Sequence, residues 1–155
     1  MNILARSLSL FLLVSAGLFY AGCSGGDDPK SVEETQLDKL KATWTLQSAD
    51  DGTDRTSEYP NMTVTFSGTF TTGGLYNYAS DADSWPSVSP WNDIDTWKFE
   101  PGNETNTIIR QSDIQEMTYS LTNSDKTLTI SFNYQGPGFS NGKVTGSWEF
   151  VFTRP

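Results

Sequence analysis

The chain contains no histidine and a single cysteine, which excludes Ser-His-Asp triads, Cys-His dyads, histidine metal sites and intramolecular disulfides for want of parts. Positive charge is scarce as well: ten Lys plus Arg face nineteen Asp plus Glu, a net charge of −9 with no basic cluster. That balance speaks against nucleic acid as a partner, because phosphates must be neutralised by Lys and Arg. Long apolar runs are limited to residues 8–20, shorter than the roughly twenty residues a membrane-spanning helix needs. Aromatics, by contrast, are abundant, with five Trp, six Tyr and nine Phe. They are enough to pack a core or a binding face around large rings.

Residues 1–22 have the layout of a secretory leader, with Arg6 ahead of the apolar run and small residues at its end. Tyr20-Ala21-Gly22-Cys23 resembles the bacterial lipobox, which implies that Cys23 is lipidated and becomes the mature N-terminus. Residues 23–30 are small and polar, a flexible tether. The pair Asp27-Asp28 resembles the surface-export signal of Bacteroidota lipoproteins, which implies an outer-membrane address and exposure at the cell surface. The partner so implied is a membrane, held through the N-terminal lipid. Two or more acyl chains, at about 0.8 kcal/mol per buried methylene, anchor a protein durably.

One domain, residues 31–155, follows. Val32, Leu37 and Leu40 fall near one helical face, and Ser31 with Glu34 makes a capping box, predicting a short helix over residues 31–41. From Thr43 the period becomes two. Runs near 43–47, 62–67, 69–72, 96–99, 107–111, 115–121, 127–134 and 144–153 predict eight strands joined mostly by short turns. The expected fold is all-β: a single eight-stranded antiparallel up-and-down barrel behind one short N-terminal helix, with an open two-sheet sandwich as the alternative.

Several segments together resemble a lipocalin-like family of bacterial outer-membrane lipoproteins. They are Leu40-Lys41-Ala42-Thr43-Trp44, Tyr59 with Met62 to Phe66 in the second strand, Trp85-Pro86, Thr96-Trp97-Lys98-Phe99, Ile108 to Asp113, Leu128 to Phe132 and Gly146 to Phe150. The resemblance implies an eight-stranded barrel or half-open barrel that binds a small apolar or amphiphilic ligand; the protein is expected to be non-enzymatic.

The connection 79–95 carries Trp85-Pro86, Pro90-Trp91 and several Asp residues, and its prolines bar regular strand. Trp85, Trp91, Tyr76 and Tyr78 make either an aromatic platform for a sugar ring or apolar ligand, or a cork in which the tryptophans fold down over one end of the barrel. Trp44, Trp97 and Trp148 lie within alternating strands and, with Phe66, Phe99, Phe132 and Phe150, form a packed core or line a pocket. Arg110 either meets a ligand carboxylate or pairs with Asp113. The acidic runs at 50–54 with Glu58, and at Asp81, Asp83, Asp93 and Asp95, offer calcium-type oxygens but match no EF-hand, so no metal and no cofactor is assigned. No particular carboxylate pair is marked out for glycoside hydrolysis. Four functions remain in order of preference: a carrier of a small apolar or amphiphilic ligand, a glycan-binding accessory lipoprotein using the loop aromatics, a structural or protein-interaction lipoprotein with a filled barrel, and last a glycan hydrolase, which needs two carboxylates facing each other across a cleft.

Overall fold

A computed structural model describes residues 29–139 and 142–155. The leader, Cys23 and most of the tether lie outside the described residues. Helix α1 (Val32–Leu40) precedes eight strands: β1 (Thr43–Asp50), β2 (Thr63–Ser67), β3 (Tyr76–Asp81), β4 (Ile94–Phe99), β5 (Thr107–Arg110), β6 (Gln115–Thr122), β7 (Thr127–Pro137) and β8 (Lys143–Thr153). Each strand pairs antiparallel with the next, and β1 pairs with β8, so the sheet closes into an up-and-down barrel. The sandwich alternative is thereby set aside.

Closure follows from the alternation of side chains. In β7, Leu128, Ile130, Phe132 and Tyr134 are buried, and in β8 so are Trp148, Phe150 and Phe152, while their neighbours face outward. In β1 the register with β8 shifts between Leu46 and Ser48. This bulge keeps Leu46, paired with Phe152, and Ala49, paired with Phe150, on the inner side. The β6–β7 turn places Asn123, Ser124 and Asp125 at φ of 53°, 55° and 61°, a left-handed run that Asn and Asp tolerate best.

The strand count agrees with the expectation, but one strand is a different segment. Residues 69–72 belong to the β2–β3 connection, where Gly68 at φ 137° and Gly73 at φ 62° bend the chain. The third strand is instead β3, whose Tyr76, Tyr78 and Ser80 point inward. Tyr59 lies not in the second strand but at the end of a 3-10 turn, Thr56–Glu58. The long connection narrows to residues 82–93, because its flanks join β3 and β4.

Both ends of the barrel are closed. At one end lies α1, capped by the Ser31 hydroxyl, which accepts from Glu34 N at 3.1 Å, with Glu33 and Glu34 in the first turn where the helix dipole favours acids. Leu37 and Leu40 are fully buried beneath it. The helix is tied to three strands: Trp44 Nε1 donates to Leu40 O (2.8 Å), Tyr76 Oη to Glu33 (2.8 Å) and Tyr119 Oη to Gln36 (3.2 Å). At the other end the 82–93 loop folds inward. Its Trp91 is 1% exposed and stands edge-on to Tyr78 (5.6 Å), Phe132 (6.0 Å), Phe150 (5.3 Å) and Phe152 (6.1 Å between ring centroids). Burying about 200 Å² of indole at roughly 25 cal/mol per Å² is worth about 5 kcal/mol, which holds the loop down against its conformational entropy.

Candidate functional site

The ten residues singled out from the sequence fall into three places. Phe66, Tyr76, Trp97 and Phe99 form one aromatic cluster beneath α1, with Trp97 at 5.5, 5.0 and 5.0 Å from the other three rings. Trp44 stands at the same end, its ring 4.7 Å from the Arg154 guanidinium. Trp91, Arg110, Phe132 and Trp148 gather at the loop end, where Trp148 stacks on Phe150 at 5.6 Å and Phe132 stacks on the same ring at 6.1 Å. Trp85 lies apart and partly exposed, edge-on to Tyr59 and stacked on Phe139 at 5.0 Å. The four platform residues are thus not one surface. Tyr76 is under the helix, Tyr78 and Trp91 are inside at the opposite end, and Trp91 takes the corking position.

Arg110 is the one charged side chain inside the described barrel with no exposed surface. It ends β5 on the inner face, and its guanidinium donates to Asp113 through Nε (3.0 Å) and Nη2 (2.6 Å), and through Nη1 to Pro90 O (2.8 Å). It also lies over the rings of Phe132 (5.8 Å) and Tyr134 (5.4 Å). Burial works against its charge, but the hydrogen bonds and charge of Asp113 outweigh that and hold its pKa above the usual value. Of the two roles weighed for Arg110, the pairing with Asp113 is the one formed, and the bond to Pro90 O fastens the loop next to Trp91.

Four buried polar atoms have no partner of good hydrogen-bond geometry, Tyr59 Oη, Tyr78 Oη, Trp91 Nε1 and Trp148 Nε1, although Ser89 lies near the Tyr59 phenol and Arg110 near that of Tyr78. Burial pushes the Tyr59 phenol up to about 12 and that of Tyr78 higher still, although the Arg110 charge beside Tyr78 acts the other way. Orphaned donors of this kind cost about 1–3 kcal/mol each and occur only where the surrounding packing holds them.

Two clefts lie on the outer wall. One of about 820 Å³ runs over β1 and β8, lined by Gln47, Ser48, Asp50, Ser147 and Glu149 among others. A second of about 430 Å³ lies between β6 and β7, lined by Gln115, Glu116, Thr118, Ser131 and Asn133, with Phe132 and Trp148 at its base. The acidic runs serve the turns. Asp50 accepts from Gly52 N (2.6 Å), Asp54 from Thr56 N (2.9 Å), and Arg55 bridges Asp51 and Glu58. Asp95 accepts from Asn92, Ser112 and Thr96 N, and Asp83 from Asn61. Among the described residues no three Cys, Asp or Glu side chains converge to hold a metal ion.

Phe139, which covers Trp85, and the β6–β7 cleft had no counterpart in the sequence reading. The signal for the cleft was Pro137, a residue that sits in a strand only where its missing N–H faces no neighbour. Compared with models of known protein families, with curated proteins and with solved structures, the chain matches none.

Proposed function

We propose that the protein is a lipid-anchored, non-enzymatic lipoprotein of the cell envelope, held at the outer membrane through Cys23, whose barrel is a filled scaffold that binds partners on its outer wall. One observation carries this reading. Seven large inward-facing side chains, Trp44, Tyr59, Tyr76, Tyr78, Trp91, Trp97 and Arg110, are each at most 2% exposed and occupy the interior from the helix to the loop. Protein interiors packed this way leave no room for a further guest. The anchor supplies the address, and the acidic exterior keeps the domain clear of an anionic bilayer surface.

A second reading, a carrier of a small amphiphile, draws on Arg110 and the unpartnered Tyr59, Tyr78, Trp91 and Trp148 at the loop end. For a guest to meet these donors, Trp91 must leave its place against four rings. Acrylamide quenching with and without a fluorescent fatty-acid probe separates the two. The filled scaffold leaves Trp44, Trp91, Trp97 and Trp148 shielded, Trp85 alone quenched, and the probe unbound; saturable probe binding with a change at Trp91 moves the function to the carrier. Cys23→Ala tests the address: the variant is expected in the soluble fraction, and retention on the membrane contradicts the anchor.

A further inference from the structure

The barrel wall has a seam. β7 pairs with β8 along its whole length, from Thr127↔Thr153 to Pro137↔Lys143, but with β6 only from Thr127↔Thr122 to Ser131↔Thr118. β6 in turn continues back to Gln115 with β5 as its one neighbour there, through Arg110↔Gln115. Beyond the Thr118–Ser131 pair the two strands therefore part, leaving residues 132–137 of β7 and 115–117 of β6 each paired on a single side. The 430 Å³ cleft lies in this gap. Alternate residues of an unpaired strand edge direct their N–H and C=O groups outward, a template for another extended chain.

Three further features describe what fits. The lining is acidic at Glu116, and Asp113, whose carboxylate keeps a third of its surface, accepts from Gln115 N at 3.2 Å where β6 begins. Glu149 lies on the same wall, over β8. Arg110 offsets the charge of Asp113, whereas Glu116 forms no ion pair among the described residues, so the charge that faces the cleft is that of Glu116. Immediately before β6, Ile114 is 68% exposed and holds φ of 56°, a strained conformation for a β-branched residue. Phe139, two residues past the end of β7, is also exposed.

We propose that the β6–β7 seam is a strand-addition site that takes an extended, basic segment of a protein partner, with its backbone paired to residues 132–136 of β7, a Lys or Arg side chain toward Glu116, and an apolar residue on Ile114. The pairing stops short of Pro137, which has no N–H and whose C=O accepts from Tyr134 Oη at 2.8 Å. Backbone pairing supplies the affinity and the alternate side chains the selectivity, as in other strand-addition sites. The inference rests on the filled scaffold that recognises partners from outside.

The test uses the ¹⁵N-labelled full-length protein in nanodiscs and two blocked hexapeptides, Lys-Val-Thr-Ile-Lys-Val and its counterpart with Glu for both Lys. The basic peptide is expected to shift amides of 115–118 and 131–136 saturably, the acidic one to leave them in place, and Glu116→Lys to weaken the basic peptide roughly fivefold. Glu116 is exposed and outward-facing, so this variant keeps the fold. No shifts, shifts elsewhere, or equal response to both peptides overturns the proposal. Concentration-dependent shifts at 132–136 without peptide make the occupant a second copy of the chain and overturn it too. Native mass spectrometry of the same sample distinguishes the failures: a bare protein with an unresponsive seam sinks the strand-addition site alone, whereas a co-purified small molecule sinks the filled scaffold as well.

Discussion

Arg110 and Asp113 are joined by two parallel hydrogen bonds, of 3.0 and 2.6 Å, across the boundary of the barrel: the guanidinium has no exposed surface and the carboxylate reaches solvent. The pair lets a charge sit inside a β-barrel without being stranded. It also joins two structural elements, since the same guanidinium holds Pro90 O, next to the corking Trp91. The plug, the pair and the start of β6 beside the seam are therefore one connected unit.

Removing the outer member of this pair strands the inner one. Asp113→Ala is expected to cost about 3 kcal/mol, at the lower end for breaking a buried pair because Asp113 stays partly hydrated. Arg110→Met removes the charge with its partner left in water and is expected to cost less. Urea denaturation of both variants checks the order, and a smaller loss for Asp113→Ala than for Arg110→Met contradicts the account.

Trp91 is the keystone of the loop end. Trp91→Ala deletes contacts to four rings and is expected to destabilise by about 3–5 kcal/mol, with Trp91→Phe retaining a large share. Thermal unfolding reads both, and an unchanged midpoint for Trp91→Ala is inconsistent with a packed plug.

Gly138 admits no side chain. A Cβ there would stand 2.4 Å from Ser87 O and 2.7 Å from Val144 Cγ2, and Gly138 N donates to Gly142 O. Gly138→Ala is expected to push the 82–93 loop outward, costing about 1–3 kcal/mol as overpacking does and raising the acrylamide quenching of Trp91. Unaltered quenching with unaltered stability contradicts that close approach.

Every tyrosine of the barrel resists ionisation. Burial raises the phenol pKa of Tyr59 and Tyr76 to about 12 and those of Tyr78, Tyr119 and Tyr134 above their ordinary value, helped at Tyr76 by its bond to Glu33. The folded state binds these protons more tightly than the unfolded chain, so the stability they contribute is complete below pH 10 and is lost as pH rises toward 12. For Tyr59 alone the two-unit difference is about 3 kcal/mol. Tyrosinate absorbance is expected to rise in one cooperative step together with loss of the far-ultraviolet β signal. A rise near pH 10 with that signal intact contradicts the buried interior.

The architecture was legible where alternation was strict. Leu128 to Tyr134 and Trp148 to Phe152 declare their inner faces, and Ser31 with Glu34 marks the start of the helix. It was illegible where tertiary contacts decide: residues 69–72 are as rich in Thr and Phe as a strand, yet Gly68 and Gly73 turn them into a connection, while Tyr76 to Asp81 wins its place through inward tyrosines that meet Trp97 and Trp91. The large strand aromatics were identified as inward candidates while Ala49, Met117 and Tyr119 were not, and whether rings meet or enclose space depends on where the 82–93 loop goes, which no local pattern encodes. The seam depends on unequal strand lengths, because β7 runs three residues past Tyr134, where the alternation of apolar residues ends.

Native mass spectrometry of the protein purified from its own host, without exchange into denaturant, weighs the filled scaffold against a carrier. A filled barrel gives the mass of the polypeptide with its N-terminal lipid and nothing bound non-covalently. A stoichiometric small apolar molecule released on gentle activation would show that the barrel opens for a guest and would contradict the filled interior.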